Sequence, residues 1–125
     1  MILCAIDDLM FSVRISTAAK QLKADVYFER TADRVIATIR EKQPSLVIFD
    51  LNSIRMQPLE VLKALKSDPE LRGIPTLGYV SHTDTATIAA ARAAGIDTVM
   101  ARSAFTSGLG GILTSETPPQ ADEQS

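Results

Sequence analysis

Hydrophobic residues fall into two kinds of run that alternate along the chain. The first kind is short and nearly unbroken: Ile2-Leu3-Cys4-Ala5-Ile6, Leu46-Val47-Ile48-Phe49, Ile74 through Ser81, and Thr98-Val99-Met100-Ala101. Such runs suit strands buried on both faces of a parallel sheet, where polar alternation disappears. Asp25-Val26-Tyr27-Phe28-Glu29 is aromatic and half polar, which suits an edge strand. The second kind is longer and spaced at helical intervals. Leu9, Val13, Ala18 and Leu22 predict a first helix with these residues as its buried stripe and Asp8 as its cap. Val35, Ile36 and Ile39 predict a second, opened by Thr31 or Asp33 and stopped near Gln43, because a residue preceding proline disfavours helical geometry. A third turns Leu59, Val61, Leu62 and Leu65 inward and ends at Asp68-Pro69. An alanine-rich fourth, opened by Asp84 or Thr85, closes at Gly95, where left-handed backbone is wanted. The last places Phe105, Leu109, Ile112 and Leu113 on one face, and Gly108, Gly110 and Gly111 predict that it is short or frayed.

Five strand-then-helix units at this spacing imply an α/β fold. The expected architecture is a flavodoxin-like, doubly wound, five-stranded parallel sheet of order 2-1-3-4-5 with helices on both faces. A chain of 125 residues is about one domain's worth, expected over residues 1–114. The stretch 115–125, with Pro118-Pro119 and Ala121 as its one hydrophobic residue, reads as a disordered tail.

Charge and cysteine usage narrow the function classes. The formal net charge is −2, and Asp122 and Glu123 near the C-terminus account for it, so the body is neutral. A neutral body without a Lys/Arg-rich run argues against nucleic acid or an anionic membrane as the main partner. Cys4, the single cysteine, lies inside the first apolar run and reads as a buried core thiol. The N-terminus has no basic region and its apolar run breaks at Asp7, unlike a secretory signal. No run approaches the ~18–20 apolar residues that span a bilayer. The expected location is therefore the cytoplasm.

Candidate chemistry gathers at strand ends. Asp50 closes the third strand and Asp7-Asp8 follow the first. Open α/β sheets bind ligands outside the carboxyl ends of their strands. An isolated aspartate there serves as a turn or a cap, but three carboxylates on two neighbouring strands describe an acidic pocket suited to a hard divalent cation. The loop Asp7-Asp8-Leu9-Met10 lacks the glycines that cradle a nucleotide, and its two carboxylates repel phosphate unless a metal is present.

In order and spacing, several pieces of this chain resemble the response-regulator receiver domain of two-component phosphorelays. They are Asp7-Asp8, Asp50-Leu51-Asn52, Leu59-Glu60-Val61-Leu62-Lys63 through Asp68-Pro69-Glu70-Leu71-Arg72-Gly73-Ile74-Pro75, and Ala93-Ala94-Gly95-Ile96. The resemblance covers about residues 1–114. It implies Asp50 as phosphoacceptor, and Mg2+ held by Asp7, Asp8, Asp50 and the backbone carbonyl of Asn52. It implies a sensor histidine kinase or another signalling protein as partner, and no enzyme activity. It also implies a monomer, or a homodimer through the face of the fourth helix, fifth strand and fifth helix.

Elsewhere the sequence departs from the family. Receivers carry Thr or Ser at the end of the fourth strand, where this chain has Val80; a valine donates no hydrogen bond. Arg102 stands in the place of the usual lysine, with a planar fork instead of a compact ammonium. Ser103 replaces the following proline, and Val99 the aromatic switch residue. Ser81 adjoins Val80 and is a possible substitute hydroxyl, while His82, the lone histidine, reads as a loop residue. Two readings stay open: a stand-alone atypical receiver phosphorylated on Asp50, or a pseudo-receiver that binds partners without phosphorylation. A small phosphate-transferring enzyme on the same fold would need a second acid two residues beyond its nucleophile, where Asn52 stands.

Overall fold

The computed structural model describes residues 1–115. Five strands, β1 (Ile2–Ala5), β2 (Val26–Glu29), β3 (Leu46–Asp50), β4 (Thr76–Val80) and β5 (Thr98–Ala101), alternate with helices. The helices are α1 (Leu9–Leu22), α2 (Ala32–Lys42), α3 (Pro58–Ser67), α4 (Thr85–Ala93), α5 (Arg102–Ser107) and α6 (Leu109–Ser115). All pairings are parallel and the order is β2-β1-β3-β4-β5, as the spacing of the runs predicts. The two central neighbours, β3 and β4, are buried at every position, whereas β2 is a half-exposed edge.

Alternate residues of each strand feed two cores. Leu3, Val47, Phe49, Val80 and Val99 pack with Val35 and Ile39 of α2 and Val61, Leu62 and Leu65 of α3. Cys4, Ile48, Leu77, Tyr79 and Met100 pack with Phe11, Ile15 and Ala19 of α1, Phe105 of α5, and Leu109, Ile112 and Leu113 of α6. Burial without a charged partner pushes the Cys4 thiol up to about 12, so it stays protonated and behaves as a small hydrophobe.

The stripe of α1 differs from the expected one. Leu9, Val13 and Leu22 are exposed by 66%, 64% and 42%, and Phe11, Ser12, Ile15 and Ala19 are buried instead. Both sides of this helix are apolar, so periodicity alone does not choose between them. The choice falls to Phe11, whose ring meets Tyr79 at 4.7 Å and Phe105 at 5.9 Å between centroids. An aromatic side chain offers more area to such a contact than Leu9 or Val13.

Helix ends follow the predicted chemistry. Phe11 N–H donates to Asp8 Oδ1 at 3.1 Å and Thr87 N–H to Asp84 Oδ1 at 3.1 Å, so both aspartates cap their helices. Gly95 closes α4 with φ +97°, a conformation that costs other residues steric strain. The expected last helix breaks at Gly108 into the two short pieces α5 and α6, which share one buried face. Of the expected tail, Ser115 closes α6 and residues 116–125 lie outside the described part of the structure. Among the described residues no helix is long and apolar enough to cross a membrane.

Candidate functional site

Asp50 is the last residue of β3, directly opposite Tyr79 in the β3–β4 ladder, and only 5% exposed. Its Oδ1 accepts the Asn52 backbone N–H at 3.0 Å. Its Oδ2 lies 3.7 Å from Arg102 Nη2, at the first residue of α5. Burial raises the Asp50 carboxyl above its ordinary value, and the nearby charges of Asp7 and Asp8 add to that. The Asn52 N–H and Arg102 pull it back without cancelling the rise. Desolvation makes a buried carboxylate a more reactive oxygen nucleophile than a solvated one, and the guanidinium beside it offers charge to an anion bound there.

Asp7 and Asp8 flank this carboxylate from the loop after β1. Asp7 accepts from Ser53 Oγ at 2.8 Å and lies 4.0 Å from Arg55 Nε. Asp8 spends one oxygen on the N-terminus of α1. The oxygen donors are those a hard cation such as Mg2+ takes, so the residues fit it in type. They are nevertheless turned to other partners: among the described residues no three His, Cys, Asp or Glu side chains gather closely enough to hold a metal. Ser53 and Arg55 were not legible as site residues, because a serine and an arginine in a seven-residue loop carry no spacing signal.

On the other side of Asp50, Asn52, Ser81, His82, Arg102 and Ser103 line an open cleft of about 590 Å³. Ser81, His82 and Ser103 are exposed, and the Ser81 hydroxyl shares a hydrogen bond with Thr83 Oγ1 at 3.0 Å. Val80 and Val99, in contrast, are buried in the α2/α3 core and add no polar atom to the site.

Beneath the guanidinium lies an aromatic stack. Arg102 Cζ sits 5.0 Å from the Phe11 ring centroid and 5.5 Å from that of Tyr79, and Tyr79 stacks on Phe105 at 4.8 Å. Cation–π attraction of this kind favours a guanidinium held near Asp50. It also explains why Arg102 serves at this place: a compact ammonium could not spread over two rings. The Tyr79 hydroxyl is buried and has no hydrogen-bond partner among the described residues, and burial together with the Asp50 charge keeps it protonated. An unpaired buried hydroxyl destabilises a fold by about 1–3 kcal/mol. In the sequence Tyr79 reads only as a strand residue, and its one signal is an aromatic placed one residue before the strand end.

No family model and no curated protein sequence matches the chain. Likeness appears in three dimensions. The Mn2+-bound form of response regulator Rcp1 matches with a TM-score of 0.76 at 21% identity, over 94% of this chain and 97% of that one. The phosphorylated cyanobacterial phytochrome response regulator RcpA matches at 0.74 and 24% identity, over 92% and 89%. Chemotaxis response regulator CheY4 of Vibrio cholerae matches at 0.77 and 17% identity, over 91% and 95%. The chain thus has the fold of the response-regulator receiver domains, as its strand-end aspartates and βα spacing led one to expect.

Proposed function

We propose that this protein is a signalling receiver that accepts a phosphoryl group on Asp50. One observation carries the reading: on a receiver fold, Asp50 ends β3 nearly buried, 3.7 Å from Arg102 and flanked by Asp7 and Asp8. An Asp50 carboxylate oxygen attacks the phosphorus of a phosphodonor, the bond from phosphorus to the leaving group breaks, and a mixed anhydride of carboxyl and phosphate remains on Asp50. Arg102 neutralises the anion added there. Asp7, Asp8, Asp50 and the Asn52 carbonyl are the residues that would hold Mg2+, which when bound supplies charge neutralisation for the approaching phosphodonor. Asp8 and Asp7 each spend one oxygen on a present partner, Phe11 N–H and Ser53 Oγ, which leaves their second oxygens for a cation. A Mn2+-bound relative in fold supports a divalent site, and a phosphorylated one supports the phosphoacceptor.

The buried apolar side chains at Val80 and Val99 favour a weak response to that phosphate, since a ligand shifts an equilibrium only through contacts that differ between the two states. The partner is then a kinase or another signalling protein, and the α4–β5–α5 face is where a partner or a second copy would sit. The test is incubation with Mg2+ and acetyl phosphate followed by intact-mass measurement. The expected outcome is one added phosphoryl group that Asp50→Asn abolishes. A chain that stays unmodified with Mg2+ present, or an adduct that survives Asp50→Asn, overturns the phosphoacceptor and leaves the phosphorylation-independent pseudo-receiver.

A further inference from the structure

Asn52 ties Asp50 to the segment between β4 and α4, its backbone bonded to one and its side chain to the other. Through its backbone N–H, Asn52 donates to Asp50 Oδ1 at 3.0 Å. Through its amide it accepts the Ser81 backbone N–H at 2.8 Å and donates to Asp84 Oδ2 at 2.9 Å. Asp84 in turn caps α4, taking the Thr87 N–H at 3.1 Å and the Thr87 hydroxyl at 2.7 Å. Three links in series, through the Asn52 N–H, the Asn52 amide and Asp84, therefore join the Asp50 carboxylate to the first turn of α4. Nothing in that path passes through Val80, which is buried in the α2/α3 core and has no polar side-chain atom. Asn52 also lines two clefts, one shared with Arg102 and Ser81, the other with Pro58, Leu59, Asp84 and Thr87.

We infer that Asn52 is the positioning residue that couples Asp50 to the β4–α4 loop and the start of α4, in the role a hydroxyl at the end of β4 would otherwise fill. Its two halves sit on one residue: the side-chain amide is held at both ends by Ser81 and Asp84, so a shift of the Asp50 carboxylate that drags the peptide N–H pulls on both amide bonds. Asparagine suits the task because Ser81 presents a donor and Asp84 an acceptor, and a side-chain amide carries an acceptor oxygen and a donor nitrogen on one planar group. An aspartate there would meet Asp84 with like charge. The coupling deepens the receiver reading by saying where the state of Asp50 would be felt, but its geometry exists without any phosphate, and it is tested without one.

Amide hydrogen exchange at Ser81 and Thr87 provides the test, in the wild type, Asp50→Ala, Asn52→Ala and the double variant. Asn52→Ala is expected to speed exchange at Ser81 about tenfold, the effect of losing one hydrogen bond, and at Thr87 by a smaller factor, because Asp84 still accepts its N–H. Asp50→Ala, which removes the acceptor of the Asn52 N–H, is expected to speed the same two amides, and the double variant to be no faster than Asn52→Ala. Asp50→Asn keeps an oxygen that accepts from Asn52 N–H and is expected to stay near wild type, which also covers the case in which Asp50→Ala does not fold. Unchanged exchange in Asn52→Ala overturns the bridge. Acceleration in Asn52→Ala with wild-type exchange in Asp50→Ala, or additive effects in the double variant, overturns the coupling and leaves Asn52 as loop packing only. The intact-mass result after acetyl phosphate decides the phosphoacceptor separately, so either claim can fail while the other stands.

Discussion

At their carboxyl ends β1 and β3 deliver Asp7, Asp8 and Asp50, whereas β4 and β5 end on Val80 and on Ala101 beside Arg102. The first half of the site is a set of oxygen donors whose chemistry needs no neighbour's help to be recognised. The second half holds one cation, laid over the rings of Phe11 and Tyr79, and a valine pair sunk in the opposite core. On the proposed function, the difference separates the groups that would bind and react from those that would report. The apolar end of β4 is buried in the core, and the loop beyond it is held by Asn52 from the loop after β3.

The largest expected effect comes from making the second half resemble the first. Val80→Thr buries a hydroxyl in an apolar core and is expected to lower stability by about 1–3 kcal/mol in urea unfolding. Part of that loss should return after phosphorylation of Asp50, when an acceptor becomes available. A loss that phosphorylation leaves untouched would show that this end of the sheet does not sense Asp50.

A smaller effect of opposite sign is expected at the rings under Arg102. Tyr79→Phe removes an unpaired buried hydroxyl and keeps the stack, so stability should rise by about 1 kcal/mol. A decrease in the same urea experiment would mean that the hydroxyl has a partner in solution, with bound water the first candidate.

The smallest effect distinguishes the two aspartates Asp50 and Asp84 by pH. Asp50 is raised in the fold, mainly by burial, so the folded state binds the extra proton first. Its charge therefore destabilises the fold increasingly as pH rises from the ordinary carboxylate value to the raised one, and by a constant amount above that. Asp50→Asn should raise the melting temperature by a few degrees near neutral pH and by nothing below the ordinary value. Asp84 is lowered, chiefly by the Thr87 hydroxyl and N–H and also by Asn52. Its contribution is present above the ordinary carboxylate value and is lost as pH falls through the lowered one. Melting curves against pH for Asp50→Asn and Asp84→Asn should thus change in opposite directions, and parallel curves would contradict the assignment.

Much of the fold was legible in residues 1–115 because its causes are local. Unbroken apolar runs mark buried parallel strands, Asp8 and Asp84 announce helix starts, and Gly95 marks the end of α4. The strand-end aspartates could be read for the same reason, since strand direction alone sends Asp7, Asp8 and Asp50 to one edge of the sheet. Three features needed the folded chain. The buried side of α1 depended on Tyr79 and Phe105, far away in sequence, selecting Phe11 over Leu9 and Val13. The grip of Arg102 depended on the same rings. The amide of Asn52 was visible only as a backbone carbonyl until Ser81 and Asp84, 29 and 32 residues away, came within hydrogen-bond distance. Periodicity and capping report what a residue does to its own neighbourhood. Which apolar side is covered, and which side-chain amide finds both a donor and an acceptor, is decided by contacts that exist only once the sheet has brought distant loops together.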